Sequence, residues 1–120
     1  MAFHNELGKA GEQIAADYLK KKGYRIITRN WRYRKAEIDI IAEANGVLVV
    51  VEVKTRSSNH YGNPQDFISK EKIRLLVLAT DAYITKYEIP LQVRFDIVSV
   101  LIPSKKKVTV QHIEDGFLHF

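Results

Sequence analysis

The sequence predicts an α/β fold in which helices flank a mixed central sheet. The periodicity of its apolar residues gives the order helix, three strands, helix, two strands, an αβββαββ arrangement. Residues 47–51 contain only Val and Leu, so this strand is apolar on both faces, as is typical of the middle of a sheet. Cysteine is absent and 46% of the 120 residues are hydrophobic, so the core needs no disulfides. We therefore expect one domain over residues 1–120.

The first two elements are predicted from an amphipathic run and a β-rich run. Residues 5–22 form the helix, with Asn5 as its N-cap and Gly23 as its stop signal. The strand follows over residues 24–33, in "YRIITRNWRY". The expected apolar side of the helix carries Leu7, Gly11, Ile14, Tyr18 and Leu19.

An Asn-Gly pair between two runs rich in Ile and Val predicts a β-hairpin over residues 37–56. If Asn45-Gly46 is a two-residue turn, Ala44 pairs with Val47. The partners expected further along are Ile41 with Val50, Asp39 with Glu52, and Glu37 with Lys54. Because side chains alternate faces along a strand, these six side chains are expected on one face.

The second half of the chain is predicted to contain a loop, a helix and two strands. The polar loop covers residues 57–67, and Ser69 caps a helix that extends to about Tyr87. Its apolar side is expected to carry Ile73, Leu76, Val77, Ile84 and Tyr87. Pro90 ends this region, and the strands follow in "VRFDIVSVLI" and "KVTVQHI".

The charged end of the hairpin has two interpretations. The predicted register places the carboxylates of Asp39 and Glu52 about 5 Å apart, which destabilises a sheet when nothing positive lies between them. In the first interpretation the charges are a structural ion-pair cluster, with Lys54 neutralising Glu37 and Arg56 holding Glu52.

The second interpretation is a divalent-metal site. Mg²⁺ prefers oxygen ligands and is usually held by one or two carboxylates, water and substrate phosphate. Asp39 and Glu52 supply the carboxylates, and the backbone carbonyl of Val53 would reach the same Mg²⁺ or Mn²⁺. Lys54 would lie beside it and orient or activate a water for attack on a phosphate.

Glu12 is a further candidate for this acidic site. It lies at the border of the helix's apolar arc. The small residues Gly8, Gly11, Ala15 and Ala16 would let the helix approach the sheet closely and present Glu12 to it. The alternative is a boundary glutamate without a role.

Four segments of the chain closely resemble the bacterial YraN-like family of uncharacterised proteins. They are "GKAGEQIAADYLKKKGYRIITRNWRYRKAEIDIIA", "VVVEVKTR", "VRFDIVSV" and "HIEDGF", in family order. That family is similar to the PD-(D/E)xK nuclease superfamily, which includes restriction-endonuclease-like and Holliday-junction-resolvase-like proteins. The resemblance implies the αβββαββ core of these nucleases, a Mg²⁺ cofactor, and a catalytic set at Glu12, Asp39, Glu52 and Lys54.

The chain departs from the family pattern at two places. Ala36 stands where the family usually has a glycine before the Glu-Ile-Asp segment, so the turn there is expected to differ. The family often carries a lysine-glutamine pair in the second helix, and the matching place here reads Lys72-Ile73. A polar role for the second position is therefore in doubt.

Basic and aromatic residues alternate in "RNWRYRK", directly before the hairpin. Cations of this kind contact phosphates, and aromatic rings stack on unpaired bases. The alternative is a strand with aromatic packing on one side and a solvated basic side. The residues predicted to bind nucleic acid are Arg29, Trp31, Arg32, Arg34, Lys35, Arg56 and Lys72.

Charge and targeting signals narrow the functional classes. The net charge of +5 favours a polyanionic partner slightly. The N-terminus does not read as a signal peptide and the apolar runs are shorter than a membrane span, so we expect a cytoplasmic protein without membrane contact. The leading hypothesis is a Mg²⁺-dependent endonuclease acting on structured or branched DNA, and the nuclease resemblance makes a homodimer possible. The alternatives are a non-catalytic nucleic-acid-binding module and a structural protein.

Overall fold

The described part of the chain contains two helices and five strands in the predicted αβββαββ order. The computed structural model describes residues 2–57, 68–104 and 107–116, and for residues 2–5 it describes the backbone only. The elements are α1 (Ala2–Lys21), β1 (Arg25–Tyr33), β2 (Ala36–Ala44), β3 (Val47–Arg56), α2 (Lys70–Tyr87), β4 (Gln92–Ser104) and β5 (Lys107–Ile113). The predicted polar loop is outside the described residues except for its first residue, Ser57.

The five strands form one mixed sheet in the order β1-β2-β3-β4-β5. Neighbouring strands are antiparallel except β3 and β4, which are parallel. A parallel pair needs a crossover connection, and α2 lies within this one. β3 is the middle strand, as its apolar sequence predicted. Within the described residues, no helix is long and apolar enough to span a bilayer.

The hairpin between β2 and β3 has the predicted turn and the predicted register over five pairs, but the predicted pairs Asp39–Glu52 and Glu37–Lys54 are not part of the ladder. Asn45 and Gly46 both have positive φ values, 52° and 77°, as a type I′ turn requires. The paired residues run from Ala44–Val47 to Ile40–Val51 and include the predicted Ile41–Val50 pair. The turn therefore fixes which residues of β3 lie beside the end of β2 that carries Asp39.

Gly23 ends α1 as predicted, but Asn5 is not the N-cap. The helix begins at Ala2, so Asn5 lies inside it. At the other end Gly23 has a φ of 96°, and the N–H groups of Gly23 and Tyr24 donate to the carbonyls of Lys20 and Leu19. These are the two hydrogen bonds of a Schellman motif.

α2 begins at its predicted cap, but its buried side differs from the predicted one at the C-terminal end. The Ser69 hydroxyl accepts the Lys72 N–H at 3.1 Å. Tyr83 is buried, whereas Tyr87 is 49% exposed, so the prediction that Tyr87 belongs to the buried side is wrong. Tyr87 follows Tyr83 by one helical turn and packs its ring on the Tyr83 ring, at 4.8 Å between centroids, but it is the last residue of α2 and half of it remains exposed.

The sheet separates two hydrophobic cores. On the α1 side, Ala16 and Leu19 pack with Val49, Val51 and other strand residues. On the α2 side, Leu76 and Tyr83 pack with the other face, which includes Leu48, Val50, Ile38 and Ile41. Both faces of β3 are therefore buried, and any charged residue of this strand needs a partner.

Gly11 lets α1 lie directly against β3, as the run of small residues predicted. A Cβ atom at Gly11 would lie only 1.9 Å from the Thr55 Oγ1 atom, whereas one at Gly8 would meet no atom within 4 Å. Close contact at this point brings the N-terminal half of α1, including Glu12, beside the C-terminal end of β3.

A buried charged cluster ties β4 to β5 and to the turn after β5. The Asp96 side chain is fully buried and accepts two hydrogen bonds from Arg94 at 2.9 Å, one from His112 at 2.7 Å and one from the Asp115 N–H at 3.1 Å. Burial alone would raise the pKa of Asp96, but the hydrogen bonds from His112 and Arg94 outweigh it and lower that pKa. Lys22 donates to His112 Nδ1, so His112 Nε2 carries the proton that it donates to Asp96.

Candidate functional site

The ladder of paired residues between β2 and β3 ends directly beside the two candidate carboxylates, Asp39 and Glu52. The last pair is Ile40–Val51. Asp39 precedes Ile40 in β2 and contacts β3 through its side chain rather than its backbone: Asp39 Oδ2 accepts the Val53 N–H at 2.8 Å. In an antiparallel ladder the N–H and C=O of one residue point to the same neighbouring strand. The Val53 carbonyl therefore points to the side on which Asp39 lies.

The regular alternation of side chains breaks at Asp39. Ile38 and Ile41 belong to the same core although they are three positions apart, and Ile40 belongs to the other core. In β1 the residue opposite Asp39 is Asn30, between the pairs Arg29–Ile40 and Trp31–Ile38, and Asn30 has a positive φ of 56°. The prediction that Glu37, Asp39 and Ile41 share one face is therefore wrong, because the backbone is distorted at this point.

Glu37 also differs from its predicted pairing with Lys54. It lies opposite Arg32 in β1, and its carboxylate accepts a hydrogen bond from Arg32 Nε at 3.1 Å. The prediction that Lys54 neutralises Glu37 is thus wrong, because Arg32 does so. At Glu37, β2 is paired with β1 and no longer with β3.

Glu52 is a buried carboxylate that contacts two lysines. Its side chain is 2% exposed, and its Oε2 atom lies 2.5 Å from Lys72 Nζ and 3.5 Å from Lys54 Nζ. Its other oxygen, Oε1, is buried without a hydrogen-bond donor. A buried polar atom without a partner is costly, so a ligand that contacts Oε1 would satisfy a buried acceptor. The predicted partner Arg56 is not one of the two cations in contact with Glu52.

Asp39 and Glu52 interact directly. Burial, followed by the negative charge of Glu52, raises the pKa of Asp39 to about 7, although the Val53 N–H and the Lys72 ammonium both lower it. Near neutral pH, Asp39 is therefore about half protonated in the cation-free protein. Two carboxyl groups in this arrangement, one with an unpartnered oxygen, fit a hard divalent cation with oxygen ligands.

Glu12 lines a cavity that Asp39 also lines, but its carboxylate is not part of the Asp39–Glu52 pair. Its Oε1 atom accepts hydrogen bonds from Arg29 Nε at 3.1 Å and Asn30 Nδ2 at 2.9 Å. Across residues 2–57, 68–104 and 107–116, no three Asp, Glu or His side chains lie close enough to hold one metal ion. A metal at Asp39 and Glu52 would therefore take its remaining ligands from the Val53 carbonyl, water and substrate.

A wide cavity of about 790 Å³ opens between α1 and the ends of the central strands. Asp39 and Lys54 line it together with Glu12 and the two arginines Arg29 and Arg32. A second cavity of about 320 Å³ lies toward α2, and Asp39 lines this one too, with Lys35 and Lys72. The distortion at Asp39 thus gives its carboxylate access to both sides of the sheet end.

The basic and aromatic residues of β1 face opposite sides of the sheet. Arg29 and Arg32 line the larger cavity, whereas the Trp31 ring packs edge-on against Tyr83 at 5.2 Å in the α2-side core. Tyr33 stacks parallel to Trp31. The predicted basic and aromatic surface is therefore divided. Arg29 and Trp31 are two positions apart and would share a face in a regular strand, so the left-handed Asn30 between them breaks the alternation of β1.

The other residues predicted to bind nucleic acid have different surroundings; they are Arg34, Lys35, Arg56 and Lys72. Arg34 is in the β1–β2 turn with a φ of 56°, its guanidinium 5.2 Å from the centre of the Tyr33 ring, and Lys35 is exposed beside it. Arg56 is the last residue of β3. Lys72 was predicted to bind nucleic acid, but its ammonium contacts Glu52 inside the site. The sequence contained no signal for this contact, nor for the role of Asn30.

Comparison with known proteins identifies the family. A model of the "Uncharacterised protein family UPF0102" matches residues 11–100. A UPF0102 protein of Flavobacterium psychrophilum is 50% identical over 120 residues, covering all of both chains. One from Phocaeicola vulgatus is 50% identical over 117 residues, covering 98% of this chain and 96% of that protein. These findings confirm the resemblance to the YraN-like family, and the chain belongs to the uncharacterised protein family UPF0102.

Proposed function

We propose that this protein is a Mg²⁺-dependent endonuclease that hydrolyses phosphodiester bonds in structured or branched DNA. The observation that carries the proposal is the pair of carboxyl groups at Asp39 and Glu52, with the buried, unpartnered Oε1 of Glu52. Like charges remain together in a partly buried position only when a proton or a cation compensates them. The adjoining cavity is lined by Arg29, Arg32 and Lys54, which are suited to a phosphate backbone.

Three groups would hold the metal: the two carboxylates and the Val53 carbonyl. When bound, Mg²⁺ supplies charge neutralisation at the phosphate and makes a water more acidic. Asp39 is fixed by its hydrogen bond from the Val53 N–H. Glu52 is fixed by its burial and its contact with Lys54. The site is therefore held by the central strands and does not depend on a loop for its geometry.

Lys54 would act on the attacking water. Its ammonium lies 3.5 Å from Glu52 Oε2, and the residue lines the larger cavity with Asp39. In the proposed hydrolysis a water oxygen forms a bond to phosphorus and that water gives up a proton to the solvent. The bond from phosphorus to the leaving ester oxygen breaks, and the leaving oxygen takes up a proton from the solvent. Lys54 would orient the water and stabilise the negative charge that develops on the phosphate.

Glu12 and its partner Arg29 would contribute to substrate binding and would not bind the metal with Asp39 and Glu52. Glu12 holds Arg29 and Asn30 by hydrogen bonds. We assign Glu12 the role of positioning Arg29 at the cavity, where the guanidinium would contact a phosphate.

A cleavage assay tests the proposal. A labelled four-way junction, flap, duplex and single strand of related sequence would be incubated with the protein in Mg²⁺, Mn²⁺ or EDTA. We expect metal-dependent cleavage of a branched substrate. Glu52→Gln should lower the rate at least about 100-fold, because even groups that only support metal ligands commonly contribute up to this factor. Glu43→Gln, in the same hairpin at the opposite end of β2, is the matched control and should cleave like the wild type.

Cleavage that persists in EDTA or in Glu52→Gln would contradict the proposal. The second candidate is a non-catalytic nucleic-acid-binding module, which the contact between Lys72 and Glu52 favours because the lysine compensates the carboxylate without a metal. Salt-sensitive DNA binding that is independent of metal, without cleavage, would support this module instead.

A further inference from the structure

Lys72 contributes the closest positive charge to the carboxylate pair. Its Nζ atom lies 2.5 Å from Glu52 Oε2, closer than Lys54 Nζ at 3.5 Å. The Ser69 cap fixes the backbone of Lys72 at the start of α2, because the Ser69 hydroxyl accepts the Lys72 N–H. The helix start thus directs a lysine from the α2 side of the sheet onto a carboxylate of β3.

The Lys72 ammonium lies where the negative charge of the site converges. Its charge interacts with that of Glu52, which it contacts directly, and with those of Asp39 and Glu37. Glu37, Asp39 and Lys72 also line one cavity of about 320 Å³. One ammonium therefore interacts with the two carboxylates that would bind a divalent cation.

We propose that Lys72 is an internal counter-cation, which compensates the Asp39–Glu52 pair in the metal-free protein and must release Glu52 before a divalent cation binds. This inference rests on the proposed metal site and adds a residue that controls its occupancy. A metal ion and a lysine ammonium at the same carboxylate repel each other, so the two occupants are alternatives.

Calorimetric titration of Mn²⁺ into the wild type and Lys72→Met tests the proposal. We expect Lys72→Met to bind Mn²⁺ at least about tenfold more tightly, since unit charges a few ångströms apart interact strongly in a partly buried site. Lys72→Arg retains the charge and should bind like the wild type. Lys70→Met is the matched control, because it removes an exposed lysine of the same helix, and its affinity should change less than about twofold.

A measurement on the wild type keeps the test independent of whether Lys72→Met folds well. Acetic anhydride modifies lysine amines, and mass spectrometry would compare the modification rates of Lys72 and Lys70 in EDTA and in Mn²⁺. We expect Mn²⁺ to increase the Lys72 rate several-fold, because an amine released from the contact with Glu52 is more accessible to the reagent. The Lys70 rate should remain constant.

The possible failures are distinguishable. If the wild type and Lys72→Met bind Mn²⁺ equally, or if Lys72→Met binds more weakly, the inference is overturned while the metal site stands. An unchanged Lys72 modification rate at saturating Mn²⁺ overturns it as well. If no variant binds the metal, both the proposed function and the inference fail. If Lys72→Met binds Mn²⁺ and the wild type does not, the result supports the inference.

Discussion

Replacing Asp96 by Ala is expected to lower the free energy of unfolding by about 3 to 5 kcal/mol, because it removes one partner of a buried ion pair. The Arg94 guanidinium would lose both hydrogen bonds to this carboxylate, and His112 would lose its acceptor. Small domains are commonly stable by about 5 to 15 kcal/mol, so the loss is a large fraction of the total. Urea denaturation at pH 7, followed by circular dichroism, measures it.

The matched control for this variant is Glu114→Ala. Glu114 also pairs with Arg94, at 3.2 Å, but its side chain is 53% exposed. An exposed pair contributes at most about 1 kcal/mol, so the control should remain close to the wild type. Equal losses in the two variants would contradict the assignment of the stability to burial of Asp96.

The lowered pKa of Asp96 predicts that the folded protein loses stability in acid. Its pKa is lower in the folded protein than the value of 3.8 that it has when unfolded. A depressed pKa contributes stability that is present above the unfolded value and is lost as the pH falls through the folded value. We therefore expect the wild type to lose stability below about pH 4, and Asp96→Ala to lose less over the same range.

Asp39→Asn is expected to stabilise the metal-free protein above neutral pH, in the opposite direction to most substitutions at buried charges. The pKa of Asp39 rises from 3.8 to about 7 on folding. A raised carboxyl pKa means that the folded protein binds the proton more tightly, so stability falls as the pH rises from about 4 to about 7. Asparagine has no such loss, and its amide would donate a hydrogen bond to Glu52.

Urea denaturation in EDTA at pH 5 and pH 8 measures the effect of Asp39→Asn. At pH 8 we expect a gain on the order of 1 to 3 kcal/mol, since a tenfold change in proton affinity corresponds to about 1.4 kcal/mol and the pair relaxes in part. At pH 5 the gain should be smaller. Glu37→Gln is the control, because its carboxylate pairs with Arg32 at a more exposed position. A loss of stability in Asp39→Asn at both pH values would contradict the account.

Local sequence signals were sufficient for much of the fold. The Asn45-Gly46 turn has both residues in the left-handed region, and this conformation set the register of the hairpin for five pairs. The Ser69 cap and the Gly23 stop are likewise short-range features that depend on a few neighbouring residues. The position of β3 followed from the apolar character of both its faces.

The parts of the site that could not be predicted depend on distant contacts. Asn30 adopts a left-handed conformation inside a strand, where the pattern predicted regular alternation, and at the distortion opposite it Asp39 lines the cavities on both sides of the sheet end. The Lys72–Glu52 contact joins residues from α2 and β3. Helical spacing predicts which lysines share a face, but it does not predict which strand residue each one reaches.

The most direct test of the central claim is calorimetric titration of Mn²⁺ and Mg²⁺ into the wild type and the Asp39→Asn/Glu52→Gln double variant. Circular dichroism would first establish that both proteins are folded, and a short DNA duplex would be added in a second series because phosphate completes such sites. We predict specific metal binding in the wild type that the double variant loses. Metal binding that is unchanged in the double variant, or absent from the wild type with and without DNA, would contradict the proposed metal-dependent nuclease.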